Sequence, residues 1–273
     1  EYNLQDYKDY WLVEDQSQNW MYNAWYDNPY LTAFEKLTPE LLNKMNAAVT
    51  MNYQVRDWGK LILRTGYDYY AQERSQRNPI GIYGTRGGFE DFGGFHSKGL
   101  YLNAQYFGYS STSDLIFTGK KSWADFAVDG LLGGSIFYKM DKSSISSTSN
   151  GLNIPGYYSL RNSVDPINTV QGQSALMRNA LYARIALSYK NALFLEASGR
   201  NDWSSTLPTQ ANSYFYPSLS ASASIHDLID LKLSWLDQLK VRAAWVQSKL
   251  TPKPYDINQA FTISNNAWDG LPT

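Results

Sequence analysis

The sequence predicts an all-β fold, an antiparallel transmembrane β-barrel, with about eight to ten strands in this chain. Three observations predict it. Long runs alternate apolar and polar residues with a period of two. The connections between runs are short and long by turns. Aromatic residues collect near the ends of the runs.

Residues 1–40 read as an extracellular loop leading into the strands, and 41–273 as strands with short periplasmic turns and long extracellular loops. At 37–45, "LTPELLNKM", Thr38 suits a helix N-cap and Pro39 the first helical position, which predicts a turn or two of helix. "MNAAVTMNYQVR" (45–56) puts Met45, Ala47, Val49, Met51, Tyr53 and Val55 on one face, with Asn46, Thr50, Asn52, Gln54 and Arg56 opposite. After a break at 57–59, the run 60–72 sets Leu61, Leu63, Thr65, Tyr67 and Tyr69 against Ile62, Arg64, Gly66, Asp68 and Tyr70. Residues 100–118 and 123–142 are two further strands around a tight break at 119–122, with Gly108, Gly133 and Gly134 expected at bends or bulges.

The second half repeats the pattern. Leu181, Ala183, Ile185 and Leu187 oppose Tyr182, Arg184, Ala186 and Ser188. Past a short break at 189–191, Leu193, Leu195, Ala197 and Gly199 oppose Phe194, Glu196, Ser198 and Arg200. In 213–225, Phe215, Pro217, Leu219, Ala221 and Ala223 oppose Tyr214, Tyr216 and four serines. A break of moderate length at 226–238 precedes a last strand at 239–248. Segments 73–98, 146–176 and 250–273 are long and rich in Gly, Pro, Ser, Asn and Asp, with 205–213 a shorter member of the set. The serine-rich stretch 143–150 is expected to be a mobile loop margin. Short turns at one end and long loops at the other are the asymmetry of a transmembrane barrel. Trp58, Trp123, Trp203 and Tyr214 are the candidates for its interfacial girdles.

Composition narrows the function. A net charge of −1 gives no basic excess for a phosphate backbone, so no nucleic-acid partner is expected. With no cysteine there is neither a disulfide nor a thiolate metal site, and the two histidines, His96 and His226, read as surface or turn residues. The first twenty residues lack the basic and apolar regions of a signal peptide. No run of 18 apolar residues exists, which leaves membrane strands open, since a strand needs only about 9–11 residues. No GxSxG, HExxH or P-loop occurs, and the glycine-rich 84–94 reads as an external loop. The acid pairs Glu90/Asp91 and Asp125/Asp129 read as solvated loop carboxylates. No catalytic residue, metal or cofactor is expected.

If the odd-numbered face of 192–203 meets hydrocarbon, then Glu196, Arg200 and Asp202 face a wet lumen, joined by Arg64, Asp68 and Arg184 by the same alternation. Trp203 then sits on the lipid side at the strand's outer end, and Pro208 stops the ladder. In the loops, Tyr83, Phe89, Phe92, Tyr157, Tyr158 and Trp268 lie among Asn, Asp and Arg and are candidates to contact a substrate or a lid.

"LFLEASGRNDWSSTLP" (193–208), "SYFYPSLSASAS" (213–224) and "LKVRAAWVQ" (239–247) resemble the signature strands of SusC/RagA-type TonB-dependent outer-membrane transporters of Bacteroidetes. "NPY" (28–30), "GLLGGSIF" (130–137) and "NGLNIPGYYSL" (150–160) fit the same family in the same order, so the resemblance covers residues 20–257. It departs at "QSKLTPKP" (247–254), where the family has a Gly-Asn-Asp-type loop. The resemblance implies a barrel of about 22 strands with a plugged lumen. It implies a location in the outer membrane of a Gram-negative bacterium. It also implies coupling through a TonB box, a SusD-like lipoprotein lid, and an oligosaccharide or oligopeptide substrate. No plug, TonB box or closing strand is recognisable, so the chain is expected to be an internal piece of such a transporter. Three alternatives stay open at this point: a soluble secreted carbohydrate-binding module, a passive outer-membrane barrel, and a hydrolase with two carboxylates flanking a cleft.

Overall fold

The alternating runs pair as neighbours in chain order. In the computed structural model, which describes residues 3–22, 26–83, 96–229, 236 and 238–257, a small pair comes first, β1 (Trp11–Val13) with β2 (Ser17–Gln18). Next come the short helix α1 (Pro29–Phe34) and β3 (Glu40–Arg56), β4 (Gly59–Tyr83), β5 (His96–Trp123), β6 (Phe126–Leu152) and β7 (Ser163–Tyr189). They are followed by β8 (Leu193–Ser204), β9 (Ser213–Ser224), α2 (Ile225–Ile229) and β10 (Lys240–Val246). Strands β3 to β10 form one eight-stranded sheet in sequence order, with β3 and β10 at its edges. Strands β7 to β10 pair antiparallel: Leu187 opposes Leu195, which opposes Ala221, which opposes Ala243.

The strands are longer than their apolar alternation. β5 runs for 28 residues, where hydropathy marks fewer. The stretch 143–150, expected to be mobile, lies inside β6: Ser146 and Thr169 hydroxyls meet at 3.0 Å, and Ser149 N–H donates to Ser163 Oγ at 2.8 Å. The expected loop 146–176 contracts to residues 153–162, and 73–98 contracts because β4 reaches Tyr83 and β5 begins at His96. A polar strand carries no hydrophobic period, yet its backbone ladder is as complete as that of an apolar one.

Two other expectations are corrected. The helix at 37–45 does not form. Leu37 bridges Arg77, Ser75 N–H donates to Pro39 C=O at 3.0 Å, and β3 starts at Glu40. Pairing with β4 overrides the capping signal of Thr38 and Pro39. The break at 119–122 lies instead at Ala124–Asp125, with Ala124 at φ 46°. Gly108, Gly133 and Gly134 are not bends, since all three keep extended backbone within β5 and β6.

By internal contacts the chain divides into two units. The first comprises Glu1–Met45, Tyr69–Tyr109 and Asp141–Gln173. Here buried polar groups do much of the packing. Gln18 donates to Gly81 C=O and Asp27, accepts from Asn28 N–H, and Asn28 in turn donates to the carbonyls of Tyr7 and Asn19. Asn162 closes loop 153–162 by donating to Ile154 and Tyr157 carbonyls, both at 2.7 Å, and accepting from Ile154 N–H. The described residues among 3–40 are therefore folded rather than bare loop.

The second unit comprises Asn46–Asp68, Ser110–Met140 and Ser174–Thr273. Among its described residues, no second layer covers the apolar face of the sheet. Leu181, Leu195 and Leu219 remain 53%, 47% and 55% exposed. A sandwich would bury this face about 10 Å beneath a second sheet. The carbohydrate-binding sandwich is thereby excluded as the arrangement of these strands.

Candidate functional site

Register fixes which side chains share a face, because residues directly opposite in neighbouring strands point the same way. Tyr182 opposes Arg200, which opposes Tyr216, and Ala180 opposes Asp202, which opposes Tyr214. All six lie on the face opposite to Leu181, Leu195 and Leu219. On this polar face in the second unit, charged residues form separate clusters.

Asp202 is the hub of the first cluster and is 2% exposed. Its Oδ1 accepts from Arg200 Nε at 2.7 Å and its Oδ2 from Tyr216 O–H at 2.6 Å. Arg178 Nε stands 3.9 Å from Oδ2. The Arg200 guanidinium lies over the Tyr182 ring and that of Arg178 over the Phe137 ring, each at 5.4 Å. In the second cluster Arg184 bridges two carboxylates, Asp129 on β6 and Glu196 on β8, the latter at 3.0 Å. In the third, Arg64 on β4 grips Asp114 on β5 through Nε at 3.1 Å and Nη2 at 2.8 Å. Asp68 accepts from Asn46 Nδ2 and, at 3.4 Å, from Ser110 Oγ. The six residues chosen from the sequence thus share one face but belong to different clusters.

Their partners were missed for specific reasons. Asp129 was read with Asp125 as a loop carboxylate, yet it lies within β6. Asp114 sits between Ser113 and Leu115 in a run too irregular to phase by hydropathy. Arg178 has the same parity as Arg184, which was the available signal.

Small residues let large ones lie flat. A Cβ on Gly133 would stand 2.5 Å from the Tyr182 ring. One on Gly108 would stand 2.4 Å from the Tyr70 ring and 2.7 Å from Asp141 Oδ1, the acceptor of the 2.9 Å hydrogen bond from Tyr70 O–H. These glycines serve close approach, not bending.

At the tight turns, Trp58 meets Phe117 edge-on at 6.0 Å, and Trp123, Phe126 and Tyr189 form a chain of rings. At the other end Trp203 lies on the apolar face. Tyr214 does not: it opposes Asp202 and stacks on Tyr216 at 5.9 Å. Of the loop candidates, Tyr157 is exposed, while Tyr158 is half-buried with the Arg77 guanidinium 6.0 Å from its ring. Burial, with Glu35 and Asp15 nearby, pushes the Tyr158 hydroxyl up to about 12, against the pull of Arg77. Tyr83 ends β4; Phe89, Phe92 and Trp268 lie outside the described residues.

An antiparallel meander with one uncovered apolar face and one ion-paired face is the fold of a piece of β-barrel wall, open here between β3 and β10. Solved structures place it more closely. The "Structure of the RagAB peptide transporter" matches over 89% of this chain and 26% of that chain, with a TM-score of 0.71 at 16% identity. The RagAB peptide importer in its "closed-closed" and "open-open" states matches with a TM-score of 0.68 each, at 16% and 15% identity and the same coverage. The chain therefore spans 26% of the length of the chains it matches. No protein-family model and no curated protein matches the sequence. The fold is that of a segment of the barrel in those structures, as the sequence resemblance implied.

Proposed function

We propose that this chain forms part of the barrel wall of a TonB-dependent outer-membrane importer. In this reading the apolar face of β7 to β10 meets hydrocarbon, the polar face lines the transport path, and the loops at 153–162 and 205–212 face outward. A SusD-like lipoprotein delivers an oligopeptide or oligosaccharide from outside, and TonB supplies energy through parts of the transporter beyond this chain. The observation that carries the reading is the sorting of Leu181, Ile185, Leu195 and Leu219 from Arg184, Glu196, Arg200 and Asp202 on the two faces of one uncovered sheet. The named neighbours are peptide transporters, which makes oligopeptides the first substrates to try.

The test follows fluorescent oligopeptides and oligosaccharides into cells expressing the intact protein that carries this sequence. The protein is expected in the outer-membrane fraction, and accumulation is expected to stop when TonB is deleted. Uptake that persists without TonB favours the passive barrel. A protein recovered in the soluble fraction without detergent removes the membrane reading altogether.

A further inference from the structure

We infer that Arg178 is a receptor for a ligand carboxylate at the loop end of the polar face. The inference rests on the reading that this face lines the transport path.

The starting point is a mismatch in the Asp202 cluster. Two guanidiniums surround one carboxylate, a formal excess of one positive charge. Oδ1 of that carboxylate accepts from Arg200 and Oδ2 from Tyr216. Arg178 is left 3.9 Å away, beyond hydrogen-bond distance, and its buried Nε has no partner. A guanidinium has five N–H donors. Elsewhere on this face Arg64 is hydrogen-bonded to Asp114 and Arg184 to both Asp129 and Glu196, so that although Arg184 Nε is also unbonded its guanidinium has anions in contact, as that of Arg178 does not. A partly desolvated cation lacking a hydrogen-bonded anion is costly, and an incoming anion removes that cost.

The group is also held ready. The Phe137 ring supports the guanidinium at 5.4 Å. The backbone beneath is pinned to the loop: Met177 N–H donates to Ser205 Oγ and Ser205 N–H to Met177 C=O, both at 2.9 Å. Arg178 opposes Ser204, the last residue of β8, so it stands where the ladder gives way to loop 205–212. Its side chain keeps 39% of its surface accessible. A planar fork carrying one surplus charge suits a planar monoanion, and a carboxylate can take two parallel N–H bonds from it. Such a group is present both at a peptide C-terminus and on a uronic acid.

Binding to the detergent-solubilised intact protein decides the matter by calorimetry. The probes are N-acetyl-tetraalanine against its C-terminal amide, and trigalacturonate against trigalactose. At least one acid is expected to bind about tenfold more tightly than its neutral counterpart, the worth of one charge-assisted hydrogen bond. Whichever pair shows the preference identifies the carboxylate's source. Arg178→Gln is expected to erase the preference while leaving the neutral probe's affinity in place. Should that variant not assemble, Arg178→Lys, which keeps the charge but not the fork, is expected to weaken the preference. Equal affinity for acid and neutral probes in the unaltered protein overturns the inference, as does a preference that persists in Arg178→Gln or is undiminished in Arg178→Lys. No membrane or TonB takes part, so this result and the uptake result can fail independently.

Discussion

At the residue scale, burial decides how much each charge on the polar face matters. Asp202 is 2% exposed and serves Arg200 and Tyr216 together. Removing its charge leaves two guanidiniums facing each other without an anion. Breaking a buried pair in this way costs about 3 kcal/mol or more. Asp202→Asn is therefore expected to lower the unfolding free energy of the refolded protein, read from urea titration, by that amount. Glu196→Gln, in a pair whose partners are 38% and 40% exposed, is expected to cost about 1 kcal/mol or less. Equal losses in the two variants would mean that Asp202 is no more a hub than Glu196. A carboxylate in a sequence carries no label for this difference. Arg200 and Asp202 were legible as polar-face residues from alternation alone, but the density of contacts on Asp202 comes from Tyr216, contributed by the next strand.

At the scale of the element, legibility followed the side chains. Where one face is apolar, as in 181–188 and 193–200, period two located the strand and both of its faces. Where both faces are polar, as in 143–150, nothing marked the strand, because the ladder that holds it is made by backbone groups common to every residue. Glycine misled for a related reason. Gly133 and Gly134 look alike in sequence, but one faces Tyr182 and the other faces open space. A Cβ on Gly134 would find only Ala180 C=O, at 3.8 Å, whereas one on Gly133 would fall 2.5 Å from the Tyr182 ring. Gly133→Ala is thus expected to destabilise the barrel by about 1–3 kcal/mol through overpacking. Gly134→Ala is expected to be neutral or slightly stabilising, since it removes freedom from the unfolded chain. Thermal unfolding of the two variants compares them directly, and the reverse order would refute the close-approach role.

At the scale of the molecule, the question is which solvent each face meets. The row Ile185, Ala197, Leu219 and Trp245 lies near the middle of the apolar face, between the turn after Tyr189 and the ring of Trp203. In a globular fold these residues would seek a protein layer, and none covers them among the described residues. In a bilayer they need none, because hydrocarbon is the second layer. Adjacent residues on β9 separate the two cases. In the bilayer case Leu219→Arg places a cation at mid-depth in hydrocarbon, at a cost of about 2–4 kcal/mol. Ser220→Arg places the same cation on the polar face in register with Glu196, where it stays wet and gains an anion. The first variant is expected to lose outer-membrane assembly and the second to assemble normally. Moving the Leu219 substitution towards either end of the strand should relieve the defect, since the penalty falls to about 0–1 kcal/mol near the interfaces. A soluble sheet shows no such dependence on depth. A cost that stays constant along β9 would therefore remove the bilayer from the account even if the strands and their pairing stood unchanged.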